Sequence, residues 1–304
     1  MRLSVVDLGT NSTRLMVAEV AGGRVRERER HSRVTGLGRA TDTSGRLSPD
    51  GIEAVHAALA DYREIAANYE PERALAVATS AVRDAADGPA FLAGLRERFG
   101  LEPRLIDGAT EARLTYLGAR ADYPSTDSTL VFDIGGGSTE LIYGTGASPE
   151  AYESLQLGVL RQSERHLRSD PPSEAELAAL GAEVISLLAD ARERMGRPSP
   201  TRAIAVAGTP NTLAAIDLGI ERNDRSATEG YPLTGGLAER QLARLAALPI
   251  AERGALAGLE PDRAPMIVAG LVIFSAVLGT FEPARTIASE HDILWGVALE
   301  AAAG

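Results

Sequence analysis

The chain has 304 residues, 44% of them hydrophobic, and a formal net charge of −11. That length suggests roughly two domains with ample packed core, and the acidic balance argues against nonspecific binding to nucleic acid. Cysteine is absent, which excludes disulfides and thiolate sites, and all 31 basic residues are arginine, which excludes a P-loop, Schiff-base or general-base lysine.

Taken in order, the first half predicts strands over 2–6, 14–20 and 24–32, then a Gly/Thr/Asp-rich loop over 35–47. In the third strand Arg24, Arg26, Arg28 and Arg30 fall at period two, which puts them on one face. They form either a solvated edge strand or a guide for an extended anion. A helix starts at Ser48, a cap, with Pro49 in its first turn. Strand 74–78, helix 88–99, strand 103–106 and helix 110–120 follow. The segment 121–128, with Asp122, Pro124 and Asp127, marks a boundary between domains 1–124 and 125–304. The second half predicts strands 129–133 and 140–143. A helix over 173–195 opens on the capping box Ser173-Glu-Ala-Glu176. Strand 203–207, helix 210–218, a polar loop over 219–235 and helices near 237–247, 262–279 and 290–302 complete it. Alternating strands and helices in both halves give an α/β class with mixed sheets. No apolar run approaches the roughly 20 residues of a membrane span, and Met1 enters a strand directly without a leader pattern, so a cytoplasmic location is expected.

One phrase occurs twice. Val-Val-Asp7-Leu-Gly9-Thr-Asn11-Ser12-Thr13-Arg14 aligns without a gap on Val-Phe-Asp133-Ile-Gly135-Gly136-Gly137-Ser138-Thr139-Glu140. Each is a strand, a glycine-bearing polar turn and a second strand, with amides and hydroxyls gathered where a phosphate can sit. Ala-Val-Ala-Thr79-Ser80 and Ala-Val-Ala-Gly208-Thr209 form a second pair at nearly the same offset. Each is a strand running into a helix N-terminus, which favours anions. Two repeats at nearly the same offset predict a duplicated domain with a polyphosphate-type ligand.

The hairpin brings Asp133 and Glu140 toward one point, and hard oxygen ligands beside phosphate suit magnesium. Alternatively, Asp133 caps its own turn and Glu140 faces solvent. Glu111 opens a helix, where a glutamate is commonly a dipole-stabilising residue. Arg83 can clamp a phosphate bidentately or pair with a carboxylate such as Asp84 or Asp87. The four histidines are scattered without metal spacing.

With the Gly36-Leu-Gly loop, Ala78-Thr-Ser-Ala-Val-Arg83, Glu111-Ala-Arg-Leu and Ser289-Glu290, these residues resemble the exopolyphosphatase / guanosine pentaphosphate phosphohydrolase (Ppx/GppA) family. It lies within the actin-like ATPase and sugar-kinase superfamily. The resemblance covers essentially the whole chain and its short, two-domain form. It implies two actin-like (ribonuclease-H-like) domains with an interdomain cleft. It makes Glu111 the candidate base that activates water and Arg83 the phosphate clamp. Asp133, Glu140 and Asp7 become candidate ligands of magnesium, with manganese as the alternative ion and a monovalent cation as a further one. Asn11, Ser12, Thr13 and Arg14, then Gly135, Gly136, Gly137, Ser138 and Thr139, with Gly208 and Thr209, would cradle phosphates. The implied activity is removal of the terminal phosphate of inorganic polyphosphate. The alternatives are a guanosine pentaphosphate hydrolase or dual enzyme, and a sensor that binds without hydrolysis. The expected partners are those ligands and a second copy in a homodimer, with no nucleic acid or membrane. Three motif positions depart from the family pattern: Thr110 stands where a second glutamate often precedes Glu111, Thr228-Glu229-Gly230 replaces a Val-His-Gly type motif, and Ile293-Leu294-Trp295-Gly296 replaces Leu-Arg-Glu-Gly.

Overall fold

The structure is a computed structural model that describes residues 1–101, 103–220 and 224–303. Positions 221–223 of the polar loop lie outside it. Two compact units emerge, Met1–Asp122 together with the C-terminal segment from Ile293, and Tyr123–Asp292.

The first unit runs β1 (Arg2–Leu8), β2 (Ser12–Ala21), β3 (Arg24–Val34), α1 (Thr41–Ser44), α2 (Pro49–Ala67), β4 (Arg73–Ala78), α3 (Ser80–Asp84), α4 (Gly88–Phe99), β5 (Pro103–Leu105) and α5 (Gly108–Ala119). The second continues with β6 (Thr129–Ile134), β7 (Thr139–Gly144), β8 (Ala151–Leu155), α6 (Val159–His166), α7 (Glu174–Arg194), β9 (Arg202–Val206) and α8 (Gly208–Leu218). It then has α9 (Arg225–Thr228), β10 (Pro232–Leu233), α10 (Gly235–Ala246), α11 (Ile250–Arg253), a 3₁₀ turn (Pro261–Arg263), α12 (Ile267–Phe281) and β11 (Arg285–Ser289). A last helix, α13 (Ile293–Ala303), belongs to the first unit. Among the described residues no helix is long and apolar enough to cross a membrane.

The two sheets repeat one topology. The first has the order β3-β2-β1-β4-β5, and the second contains β8-β7-β6-β9-β11 with β10 added at its edge. In each, the first three strands pair antiparallel and the next two join in parallel. The repeat reaches individual bonds: Gly9 N–H donates to the Ser12 carbonyl at 3.1 Å, and Gly135 N–H to the Ser138 carbonyl at 3.0 Å. Each turn thus closes with its own ladder, as a duplicated hairpin requires.

The capping residues explain the long helices. The Ser48 hydroxyl accepts from Gly51 N–H ahead of α2, and Ser173 with Glu176 forms both halves of the capping box of α7. The core of the first unit lies on both faces of its sheet. Leu8, Leu15 and Val17 face α2 and α4, while Leu3, Val5 and Met16 pack with Leu114, Leu294 and Val297.

That packing moves one boundary. The C-terminal segment, expected in a domain 125–304, groups with the first unit because its apolar residues complete the second face of the first sheet. The chain leaves the first unit after Asp122, two residues before the expected boundary.

The arginine row also differs from expectation. Pairing of β2 with β3 shifts between Val17 and Ala18, so Arg28 is the extra residue of a bulge. Arg24 and Arg26 oppose Ala21 and Glu19, whereas Arg30 opposes Met16 on the other face. Arg28 pairs with Glu19 at 2.9 Å and Arg30 with Glu27 at 3.4 Å. The four arginines share no common face, and β3 is a charged edge strand.

Candidate functional site

In the first unit, Glu111 and Arg83 meet. Arg83 Nη1 donates to Glu111 Oε2 at 3.1 Å and to the Ile106 carbonyl at 2.9 Å. Their side chains are 24% (Arg83) and 11% (Glu111) exposed, so the pair is largely shielded yet still reachable. The capping role in α5 belongs to Asp107, whose side chain accepts from Thr110 N–H at 2.8 Å. That bond holds the Asp107 carboxyl below its usual range. Glu111 is therefore not needed as a cap and is instead directed at a guanidinium.

In the same unit the Gly36–Gly38 loop closes on the first turn. Thr35 and Gly36 N–H both donate to the Asn11 carbonyl at 2.9 Å, and Gly38 N–H donates to the Thr10 carbonyl at 2.8 Å. A Cβ on Gly38 would lie 2.4 Å from the Thr10 methyl and 3.0 Å from the Ala81 Cβ, so only glycine lets this loop, the turn and α3 meet. Ser12 is half-buried and Asn11 is buried. The Thr13 hydroxyl bonds Thr35 at 3.2 Å inside the protein. Arg14 is directed at Asp7, its Nε at 3.0 Å and Nη2 at 2.5 Å from Oδ2. A guanidinium there competes with any metal ion at Asp7.

In the second unit the same two register positions hold Asp133 and Glu140. Directly opposed residues leave the same face of a sheet, and like charges there destabilise it. Asp133 is 8% and Glu140 2% exposed, and Glu140 accepts from the Ser154 hydroxyl at 2.9 Å. A cation relieves the repulsion of two such carboxylates. Magnesium, which takes one or two carboxylates and completes its shell with phosphate oxygens and water, fits the pair. Among the described residues no three His, Asp or Glu side chains form a cage of their own.

Glycines also set the close approaches of this unit. A Cβ on Gly158 would fall 2.2 Å from the Gly136 carbonyl, and one on Gly270 2.4 Å from the Thr209 hydroxyl. The start of α6 is thereby seated on the Gly135–Ser138 turn, and α12 on the start of α8. Val159 and Leu160 N–H donate to the Gly135 and Gly136 carbonyls at 2.9 and 3.0 Å. The Thr139 hydroxyl is buried against the Leu157 carbonyl, as Thr13 is against Thr35. Ahead of α8, Ala207 has φ 75° and ψ −167°, a region that belongs almost wholly to glycine. This strain orients Gly208 and Thr209 at the helix N-terminus.

Two arginines here lie outside the sequence motifs. Arg161, on α6, donates from Nε to the Gly137 carbonyl at 2.8 Å; burial pulls its pKa down, and Arg165 adds to that. Arg263 lies so close to Gly208 that a Cβ there would sit 1.7 Å from its Nη1. Neither follows a glycine turn in sequence, so only the fold brings them in. They bring positive charge to the Gly135–Ser138 turn and to the start of α8 in an acidic chain.

The Ppx/GppA phosphatase family matches residues 15–302. Exopolyphosphatase 2 of Mycobacterium tuberculosis is 32% identical over 99% of this chain and 98% of its own length. A solved exopolyphosphatase from Cytophaga hutchinsonii superposes with a TM-score of 0.90 at 26% identity, covering 99% of this chain and 98% of that one. The Aquifex aeolicus Ppx/GppA family member gives a TM-score of 0.84 at 29% identity over 100% and 98%. The repeated topology is thus the actin-like fold of these proteins, and the chain belongs to the Ppx/GppA phosphatase family.

Proposed function

We propose that this protein is an exopolyphosphatase that removes the terminal phosphate of inorganic polyphosphate by attack of water. The observation that carries the mechanism is the Arg83–Glu111 pair, in a helix whose cap is supplied by another residue. The substrate class comes from the relatives, which bear the name exopolyphosphatase at 32% identity.

In this reading Glu111 accepts the proton of the attacking water. Arg83, anchored on the Ile106 carbonyl, holds the Glu111 carboxylate and a phosphoryl oxygen. The Gly135–Ser138 turn and the N-terminus of α8, with Arg263 beside Gly208, hold phosphates of the chain. Asp133 and Glu140 would hold magnesium. When bound, that ion supplies positive charge against the phosphoryl oxygens. A cytoplasmic homodimer belongs to the same proposal, and size-exclusion chromatography tests the dimer.

The test is phosphate release with magnesium from short polyphosphate, long polyphosphate and guanosine pentaphosphate. Removing a general base costs about 10²–10⁴-fold in rate, so Glu111→Gln should lose that much while still folding. A Glu111→Gln protein as active as wild type would overturn the assignment of the base. A preference for guanosine pentaphosphate would overturn the substrate. Binding of all three without release would leave a sensor.

A further inference from the structure

The segment between α10 and α12 carries an arginine that takes no direct part in the proposed reaction. Arg253 ends α11 and is 2% exposed. Its Nε donates to the Leu248 carbonyl at 2.8 Å, its Nη1 to the Ala264 carbonyl at 3.0 Å and its Nη2 to Asp170 Oδ1 at 3.2 Å. Asp170 also accepts from Ile250 N–H, at 2.9 and 3.1 Å from its two oxygens. One guanidinium thus joins three stretches of chain: the exit of α10, the entrance of α12 and the loop before α7.

Burying a guanidinium is costly, and a buried ion pair is weak evidence for stability, since apolar replacements are often neutral or better. Arg253 instead has a local consequence. The Ala264 carbonyl it holds belongs to the residue directly after Arg263. Arg263 Nε bonds Glu260 Oε2 at 2.7 Å, and its Nη1 occupies the space a Cβ on Gly208 would need. A second anchor lies earlier in the segment. Gly258, at φ +84°, sits where a Cβ would be 2.5 Å from the Ala215 carbonyl. The segment therefore grips α8 at its Gly208 end and again near Ala215.

We propose that Arg253, held by Asp170, is a positioning residue that sets the Arg263 guanidinium at the start of α8 to receive a phosphate of the substrate. The proposal rests on the reading above that Arg263 contacts phosphate. A planar fork with three acceptors on three segments can fix a neighbouring backbone, which a flexible ammonium or an apolar chain cannot.

The experiment measures tripolyphosphate binding by calorimetry, and KM and kcat for phosphate release with magnesium, on the full chain. Arg253→Met, Asp170→Asn, Arg263→Gln and the two double variants with Arg263→Gln are compared. Misplacing a binding group by about an ångström is worth up to about 100-fold, so Arg253→Met should weaken tripolyphosphate about tenfold and raise KM, with Asp170→Asn doing so less. Residues on one path are not additive, so Arg253→Met with Arg263→Gln should bind no worse than Arg263→Gln alone. A folded Arg253→Met that binds like wild type, or that adds its full loss to Arg263→Gln, overturns the positioning role. If Arg253→Met does not fold, Asp170→Asn decides by the same two criteria. If Arg263→Gln itself binds like wild type, Arg263 does not contact phosphate and the proposal falls with that reading. If Arg263→Gln loses affinity and Arg253→Met does not, only the positioning fails.

Discussion

At the scale of single residues, the duplication explains both what matches and what diverges. Asp7 and Asp133 occupy equivalent places, but their cross-strand partners are Arg14 and Glu140. The first copy neutralises its aspartate internally, and the second sets two carboxylates together. Asp133→Asn removes one of the opposed charges. It should raise the magnesium concentration needed for half-maximal phosphate release while sparing the fold, which a magnesium titration with a parallel melting curve checks. Ala207 makes a different prediction. Its φ of 75° and ψ of −167° cost a side-chain-bearing residue about 1–3 kcal/mol. Ala207→Gly should relieve part of that and raise the melting temperature, less the entropy glycine loses on folding. A lower melting temperature would mean that the surroundings of the turn have already absorbed the strain. The roles proposed for Glu111 and Arg83 rest on the family resemblance, because local pattern alone makes a first-turn glutamate a dipole-stabilising residue. In the structure the cap of α5 is Asp107.

At the scale of elements, α7 shows how a helix start organises a neighbouring loop. Glu176 accepts from Arg168 N–H at 2.9 Å and Ser169 N–H at 3.1 Å as well as from Ser173 N–H at 2.8 Å. It therefore ties down the loop that carries Asp170. The Ser169 hydroxyl first, then the Ser173 and Arg168 amides, lower its pKa from 4.5 to about 2. A carboxyl whose folded pKa is depressed stabilises the fold when ionised. That contribution is complete well above pH 4.5 and is lost as pH falls from there through about 2. Glu176→Gln should therefore lower the melting temperature at pH 7, and the difference from wild type should shrink toward zero as pH approaches 2. A difference that persists undiminished at low pH would assign the effect to packing. This helix was legible in sequence because its capping box and apolar periodicity agree. The helix α6 was not. Val159–His166 is polar on most sides, and what fixes it is non-local: its first amides bond the Gly135 and Gly136 carbonyls. The strand β11 was missed for a similar reason. Arg285–Ser289 is short and lies between two strongly helical apolar stretches, and pairing with β9 on one side and β10 on the other makes it a strand. The Glu229 departure also becomes intelligible at this scale. Its carboxylate accepts from the Tyr123 hydroxyl at 2.6 Å and the Ser289 hydroxyl at 3.0 Å, so glutamate acts as an acceptor within its own network.

At the scale of the whole molecule, the chain returns to the unit in which it began. The segment from Ile293 has apolar residues on most sides, so periodicity could not say which core it serves, and contiguity placed it in the wrong unit. Packing decides the matter. Trp295, Leu294 and Val297 share a core with Leu114, Met16 and Val5. Arg104 bonds Glu300 at 3.0 Å, and Arg73 bonds the Ala301 carbonyl at 2.9 Å. The closest approach is at Gly296, where a Cβ would fall 1.9 Å from the Leu114 carbonyl oxygen and 2.6 Å from its carbon. Backbone rather than a movable side chain occupies that space, so Gly296→Ala must displace α13 or α5. Overpacking of this kind costs about 1–3 kcal/mol. Because α5 carries Glu111, the displacement should also reach the reaction, lowering kcat for phosphate release more than it changes KM. Gly279 is the control. It lies within α12, and a Cβ there meets nothing within 4 Å. Gly279→Ala should stabilise by about 0.5–1 kcal/mol, through helix propensity alone, and leave kcat unchanged. Melting curves and kinetics on the two variants separate a general glycine effect from the contact. If Gly296→Ala kept wild-type stability and kcat, α5 would tolerate the shift, and the placement of Glu111 would owe nothing to the C-terminal helix.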